Sequence, residues 1–131
     1  MKTLIIFLAL TFSVMFSSPS YAGWTKVGED VNGKTFYVDY ERIRKHDGYI
    51  YYWQLQDFLK PTSTGMLSAK MYNQGDCKLF RYKSLSYSFH KEPMGKDTGH
   101  TDNVPDKEWT YPPPNSVFEI TLKQVCNRWE G

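Results

Sequence analysis

The side chains best suited to chemistry in this chain are two cysteines, Cys77 and Cys126, and three histidines, His46, His90 and His100. A thiolate can attack carbon, bind zinc or close a disulfide, and an imidazole moves protons near neutral pH. The cysteines stand 49 positions apart with no histidine pair beside them, a poor ligand set for a metal. In an exported chain such a pair closes one bridge and leaves no thiol nucleophile; elsewhere it stays as two thiols. His46 sits among Arg42, Arg44 and Lys45, the composition of a solvated turn. His90 ends a strand-like run beside Lys91 and Glu92 and is expected at the surface. "HTD" at 100–102 could hold an imidazole near Asp102, as a base or a metal site requires. No serine-nucleophile motif, glycine-rich phosphate loop or paired ligand spacing accompanies it. The expectation is a non-enzymatic protein with no catalytic residue, cofactor or metal.

Which chemistry the cysteines perform depends on the compartment. Lys2 gives a positive start, Leu4 to Phe16 is almost wholly apolar, and Ser20 and Ala22 are the small residues of a cleavage site. Thirteen apolar residues are too few to span a bilayer, so residues 1–22 read as a signal peptide rather than an anchor, and no later segment resembles a transmembrane span. Cleavage after Ala22 would leave Gly23 to Gly131, 109 residues, enough for one domain with a modest core. The residue after the cut is not cysteine, so no lipid attachment site is visible. The expected location is periplasmic or secreted, with cell-surface display an open alternative. Without Lys2 the chain carries 15 basic and 14 acidic residues, a balance that draws neither nucleic acid nor an anionic membrane.

The elements that must position these residues are strands first and a helix last. Residues 24–29 and 34–40 flank Val31-Asn32-Gly33, a hairpin signal because Asn and Gly tolerate positive φ. Residues 41–45 suit a brief turn or a single helical turn, closed by Asp47-Gly48. A long strand at 49–58 follows, then strands at 65–73 and 77–89 with Gly75-Asp76 turning the chain between them. Residues 91–108 read as a long polar loop, with a strand at most near Trp109 and Tyr111. Pro112-Pro113-Pro114 makes a stiff approach to a helix opened by the capping box Ser116 and Glu119. Phe118, Leu122, Val125 and Trp129 form one apolar stripe, and Cys126 lies on it. The fold expected is α+β: one antiparallel meander of five to six strands, with a C-terminal helix packed on one face and tethered by a Cys77–Cys126 disulfide.

The long strand offers two faces. Tyr49, Tyr51, Trp53 and Leu55 share the more apolar parity and are expected to face the helix. The opposite parity, with Tyr52, Gln54, Gln56 and Phe58, mixes rings and amides as a partly wet contact face would. Packing of Tyr52 and Phe58 across strands is the alternative. "KLFRYKSLSYSFHK" at 78–91 interleaves aromatic and basic residues, as base-stacking strands do. The charge balance and the leader favour a sheet face with extended Lys and Arg stems.

Taken in order, "WTKVGED" at 24–30, "YVDYERIRKHDGYIYYWQLQDFLKP" at 37–61, "GDCKLFRYKSLSYSFH" at 75–90, "EPMGK" at 92–96 and "EWTYPPPNS" at 108–116 resemble the bacterial surface-adhesin E family. The resemblance covers essentially all of residues 23–131 and implies an antiparallel sheet with a disulfide-held C-terminal helix. It also implies adhesion to host extracellular-matrix and serum proteins such as laminin, vitronectin and plasminogen. The alternative is a soluble periplasmic small-ligand-binding or envelope-stress protein of the same fold. An exposed aromatic face or sheet edge could further permit a homo-oligomer.

Overall fold

The computed structural model describes residues 23–130; the expected leader and the side chain of Trp129, last member of the helix stripe, lie outside the described residues. β1 (Trp24–Glu29) and β2 (Thr35–Asp39) form the first hairpin. Asp30 holds its turn, accepting from the amides of Asn32 and Lys34 at 2.9 Å each, while Gly33 takes a φ of 84°. A register shift between Lys26 and Gly28 bulges β1, and Val27 packs against the core.

After a 3-10 turn at Tyr40–Arg42, the chain departs from expectation: Arg44–His46 is a short strand, β3, rather than part of a turn. It pairs with β4 (Tyr49–Asp57) through Asp47-Gly48, at φ 51° and 83°. Positive φ at both positions gives the twist that suits a two-residue hairpin. All three β3 side chains are exposed and basic, so polarity hides the strand.

β5 (Ser68–Asp76) begins three residues later than expected and β6 (Arg81–His90) four residues later. Gly75 does not turn the chain. It sits inside β5 because a Cβ there would lie 2.8 Å from Ile50 Cγ2 and 3.1 Å from Leu122 Cδ1. The turn falls at residues 77–80, so Cys77 stands in it rather than in a strand. Asp76 organises that turn: Oδ1 accepts from the amides of Lys78 (3.1 Å) and Leu79 (3.2 Å), and Oδ2 meets Arg81 Nε at 2.9 Å.

With a last strand β7 at His100–Asp102, the sheet is antiparallel and ordered β1-β2-β4-β5-β6-β7, with β3 also paired to β4. β7 is a strand inside the segment expected to be loop. Thr110 bridges to Tyr82, where a late strand was expected.

Helix α1 (Val117–Glu130) covers one face. Ser116 caps it, accepting from the Glu119 amide at 3.1 Å, while the Glu119 carboxylate reaches back to the Asn115 amide at 3.2 Å. Leu122, Val125 and Cys126 join Val38, Ile50 and Tyr52 in the core. Phe118 lies edge-on to Phe36 at 5.6 Å and stacks on Tyr82 at 5.8 Å. Cys126 is bonded to Cys77 with their Cα atoms 5.8 Å apart, an ordinary span for a disulfide. The stapled α+β sheet is the fold of this chain.

One expectation about that sheet is reversed. Ile50, Tyr52 and Gln54 lie buried on the helix side, and Tyr49, Tyr51 and Trp53 are half-buried on the other. Both parities carry large apolar groups, so size does not decide between them. Ile50 and Tyr52 fit the notch at Gly75, whereas Tyr and Trp tolerate a wet face because each has a polar tip.

The far end of the second face is covered by a short segment. Ser68 Oγ donates to the Glu92 carbonyl at 2.6 Å and accepts from the Gly95 amide at 2.8 Å, and the Met94 amide donates to Asp57 at 2.8 Å. These bonds hold the Pro93–Gly95 turn across β4 and β5, and Leu55 is fully buried on this parity. His90, expected at the surface, is 2% exposed. Its ring lies 2.8 Å from Ser88 Oγ on one side and 2.9 Å from the Asp97 carbonyl on the other.

Candidate functional site

Ser88, His90 and Asp97 place a hydroxyl, an imidazole and a carboxylate in the order a serine hydrolase uses. The likeness ends there. Both Ser88 and His90 are buried, and His90 Nδ1 is nearer the Asp97 carbonyl (2.9 Å) than its carboxylate (3.4 Å). The ring therefore ties the 91–97 segment to β6. His46 meets Asp47 at 3.1 Å with both side chains exposed, and His100 and Asp102 lie exposed on the edge strand β7. Among the described residues no three His, Cys, Asp or Glu side chains are grouped to hold a metal ion.

The contact face expected from the sequence does not form one surface. Tyr52 and Gln54 are each 1% exposed, sealed by the helix. Gln54 Oε1 accepts from Asn73 Nδ2 at 3.0 Å, and Asn73 Oδ1 accepts from Ser84 Oγ at 2.7 Å, a polar chain inside the core. Burial pushes the Tyr52 phenol up, against an opposing hydrogen bond with Asn73. Gln56 and Phe58 are half-buried; Gln56 reaches Met71 Sδ at 3.6 Å, and the Lys34 ammonium sits 5.5 Å from the Phe58 ring centre. The alternation was real and its phase was opposite.

The open face carries what the expected one lacked. Tyr49, Tyr51 and Trp53 run down β4 as a column about 13 Å long at strand rise. Tyr72 of β5 stands beside it, 4.8 Å from Trp53 and 6.1 Å from Tyr51 between ring centres. Burial, then the neighbouring Tyr72, Asp47 and Tyr49, push the Tyr51 phenol up. Trp109 closes the other end, 5.5 Å from Tyr49, with the Arg81 guanidinium at 4.4 Å and the Lys83 ammonium at 4.8 Å from its ring centre. Register sets cations on both flanks: Arg44, Tyr51, Gln74 and Lys83 form one row across four strands. Three strand spacings put the backbones of Arg44 and Lys83 about 14 Å apart.

A hollow lies at each end of the column. One, of about 450 Å³, is lined by Glu41, Arg42, Ile43, Arg44, Trp53 and Tyr72. The other, of about 630 Å³, opens beside Tyr49 and Arg81 and reaches the disulfide, with Lys45 and Lys78 at its rim. The face thus offers rings, cations and the recess beside Trp53, while the hollow at the Tyr49 end runs round to the helix side at Ile50 and Cys126.

The model of the family described as surface-adhesin protein E matches residues 24–127. This chain belongs to that family. Its fold is also that of solved family structures. A second crystal form of Haemophilus influenzae protein E superposes with a TM-score of 0.67 at 14% identity, covering 88% of this chain and 95% of that one. Another structure of Haemophilus influenzae protein E gives 0.62 at 14% identity over 86% and 92%, and a selenomethionine form gives 0.60 at 15% over 85% and 91%. A comparison with curated protein sequences finds no match. Within the adhesin family, low identity with a shared sheet means that surfaces must be read from each member's own residues.

Sequence reasoning missed Tyr72, Trp109, Arg44 and Lys83 as partners of the column. The row joining Arg44 to Lys83 exists only once β3 is known to be a strand. Trp109 reaches Tyr49 only through the bridge of Thr110 to Tyr82. The one available signal was the Tyr49-Tyr51-Trp53 alternation itself.

Proposed function

We propose that this chain is an exported, non-enzymatic adhesin-type protein that binds host extracellular-matrix or serum proteins through the open face of its sheet. The observation that carries the reading is the column Tyr49-Tyr51-Trp53 with Tyr72 and Trp109, left half-exposed while the helix occupies the other face. Tyr, Trp and Arg supply most of the binding energy at protein interfaces, and here they are gathered in one place. Membership of a surface-adhesin family supports the same reading, and the leader-like residues 1–22 support export.

The test uses residues 23–131 over immobilised laminin, vitronectin and plasminogen. Wild type is expected to bind at least one of them, and Trp53→Ser to weaken that binding by at least tenfold, the cost of a modest hot spot of about 1.4 kcal/mol. Phe58→Ser, off the face, is expected to bind as wild type does. Melting temperatures of both variants separate lost contact from lost fold. If wild type binds none of the three at micromolar concentration, host adhesion is wrong and a periplasmic role as a small-ligand-binding or envelope-stress protein replaces it.

A further inference from the structure

We infer that the partner segment received by the open face is an acidic stretch of polypeptide, an inference that rests on the binding role proposed above. Charge is the first argument. The column and the hollows at its ends gather five cations, Arg42, Arg44, Lys78, Arg81 and Lys83, while Lys45 pairs with Ile50 and belongs to the helix side. Against them stand Glu41, Asp47 and Asp76 in the lining, and Asp39, which meets Arg42 at 3.2 Å. The local surplus of one equals the net charge of residues 23–131, 15 basic against 14 acidic, so the remaining surface is balanced and the excess is concentrated here. Asp76 is already saturated by two amides and Arg81, and so offers little to a visiting cation.

The second argument is what the rings have left to offer. A sugar needs an open ring face to lie on, but these faces are in use. Tyr51 and Tyr72 stack on one another at 23°, Trp53 leans on Tyr72, and Trp109 has Arg81 and Lys83 above it. What remains is ring edges, phenol hydroxyls and cations already held in place. Such a surface suits peptide groups and side-chain carboxylates, and little ordering entropy is lost where cations are prepositioned. The hollow beside Trp53 and Tyr72 can seat one side chain of an extended segment of about four residues laid along the 13 Å column.

The experiment titrates residues 23–131 with three fluorescent probes: a random Glu-Tyr copolymer, poly-Lys and heparin. The Glu-Tyr copolymer is expected to bind, to weaken as salt is raised, and to weaken roughly tenfold in each of Lys83→Glu and Arg44→Glu, the effect of inverting one charge close to an anionic partner. Lys91→Glu, outside the face, is the control and is expected to change nothing. Both face variants alter partly or fully exposed side chains, and their melting points are measured alongside. Heparin binding without copolymer binding would overturn the inference in favour of a sulfated glycan. Copolymer binding indifferent to both charge reversals would overturn the placement. Should Trp53→Ser abolish binding to a matrix protein while the copolymer never binds, the adhesin reading stands and the acidic-segment inference alone fails.

Discussion

At the scale of single residues, Gly75 and Leu122 describe one contact from its two sides. The helix approaches β5 so closely that a methyl group on Gly75 would press on both Ile50 and Leu122. Gly75→Ala is therefore expected to destabilise by about 1 to 3 kcal/mol, the usual cost of overpacking. Leu122→Ala should cost about 2 to 5 kcal/mol through the cavity it leaves. Exposed Gln124→Ala should stay within about 0.5 kcal/mol. Urea denaturation of the three variants checks the set, and equal losses for Leu122→Ala and Gln124→Ala would contradict the packing. Asp76 brings pH into the same region. Burial alone would raise its carboxyl, but the Leu79 amide, the Arg81 guanidinium and the Lys78 amide outweigh it and hold the pKa below the ordinary value. A depressed acid stabilises the fold fully above the unfolded pKa of about 3.9, and that contribution disappears as pH falls through the folded value. Melting curves of wild type should thus decline below about pH 4. Asp76→Asn should melt lower at neutral pH and decline less on acidification; parallel profiles would remove Asp76 from the acid response.

At the scale of elements, the disulfide and the helix act as one device. A bridge across 49 positions removes about 4 kcal/mol of disorder from the unfolded chain in the loop-entropy account. Changing Cys77 and Cys126 together to Ser should cost about that much, read as a lower urea midpoint with an unchanged far-ultraviolet spectrum before unfolding. Both features were legible beforehand, because capping residues, stripe and cysteine fall at fixed helical spacings. The first hairpin was legible for the same kind of reason, since Asn32-Gly33 carries its own backbone preference. What escaped notice depended on contacts between distant segments. β3 is three exposed residues with no apolar signature, made a strand by its pairing with β4. His90 is buried because Pro93–Gly95 folds back onto Ser68 and Asp57, positions 20 to 40 residues earlier. The phase of β4 depended on a notch at Gly75, a residue whose composition alone suggests a turn. The rings of β4 were thus visible as a pattern, with the exposed and buried parities exchanged.

At the scale of the whole molecule, the sheet is two-sided in its duties: one face makes the core with α1, and the other presents rings and cations. Among the described residues no helix is long and apolar enough to cross a membrane. If the leader is removed as proposed, intact-mass spectrometry of the exported protein should show a chain starting at Gly23 and two hydrogens lighter than its reduced sequence; an unprocessed N-terminus or two alkylatable thiols would refute one or the other. The place of α1 in the chain has a further consequence, for the order of events during synthesis. Every strand has been made by Asp102, yet the cover for Phe36, Val38, Ile50 and Tyr52 comes only with Leu122 and Val125. A growing chain therefore carries its strands with a wet apolar face until residues 117–126 emerge, and Cys77 has no bridge until Cys126 arrives. The core must wait for α1, and a chain interrupted at Asn115 carries a sticky sheet whose apolar face has no cover.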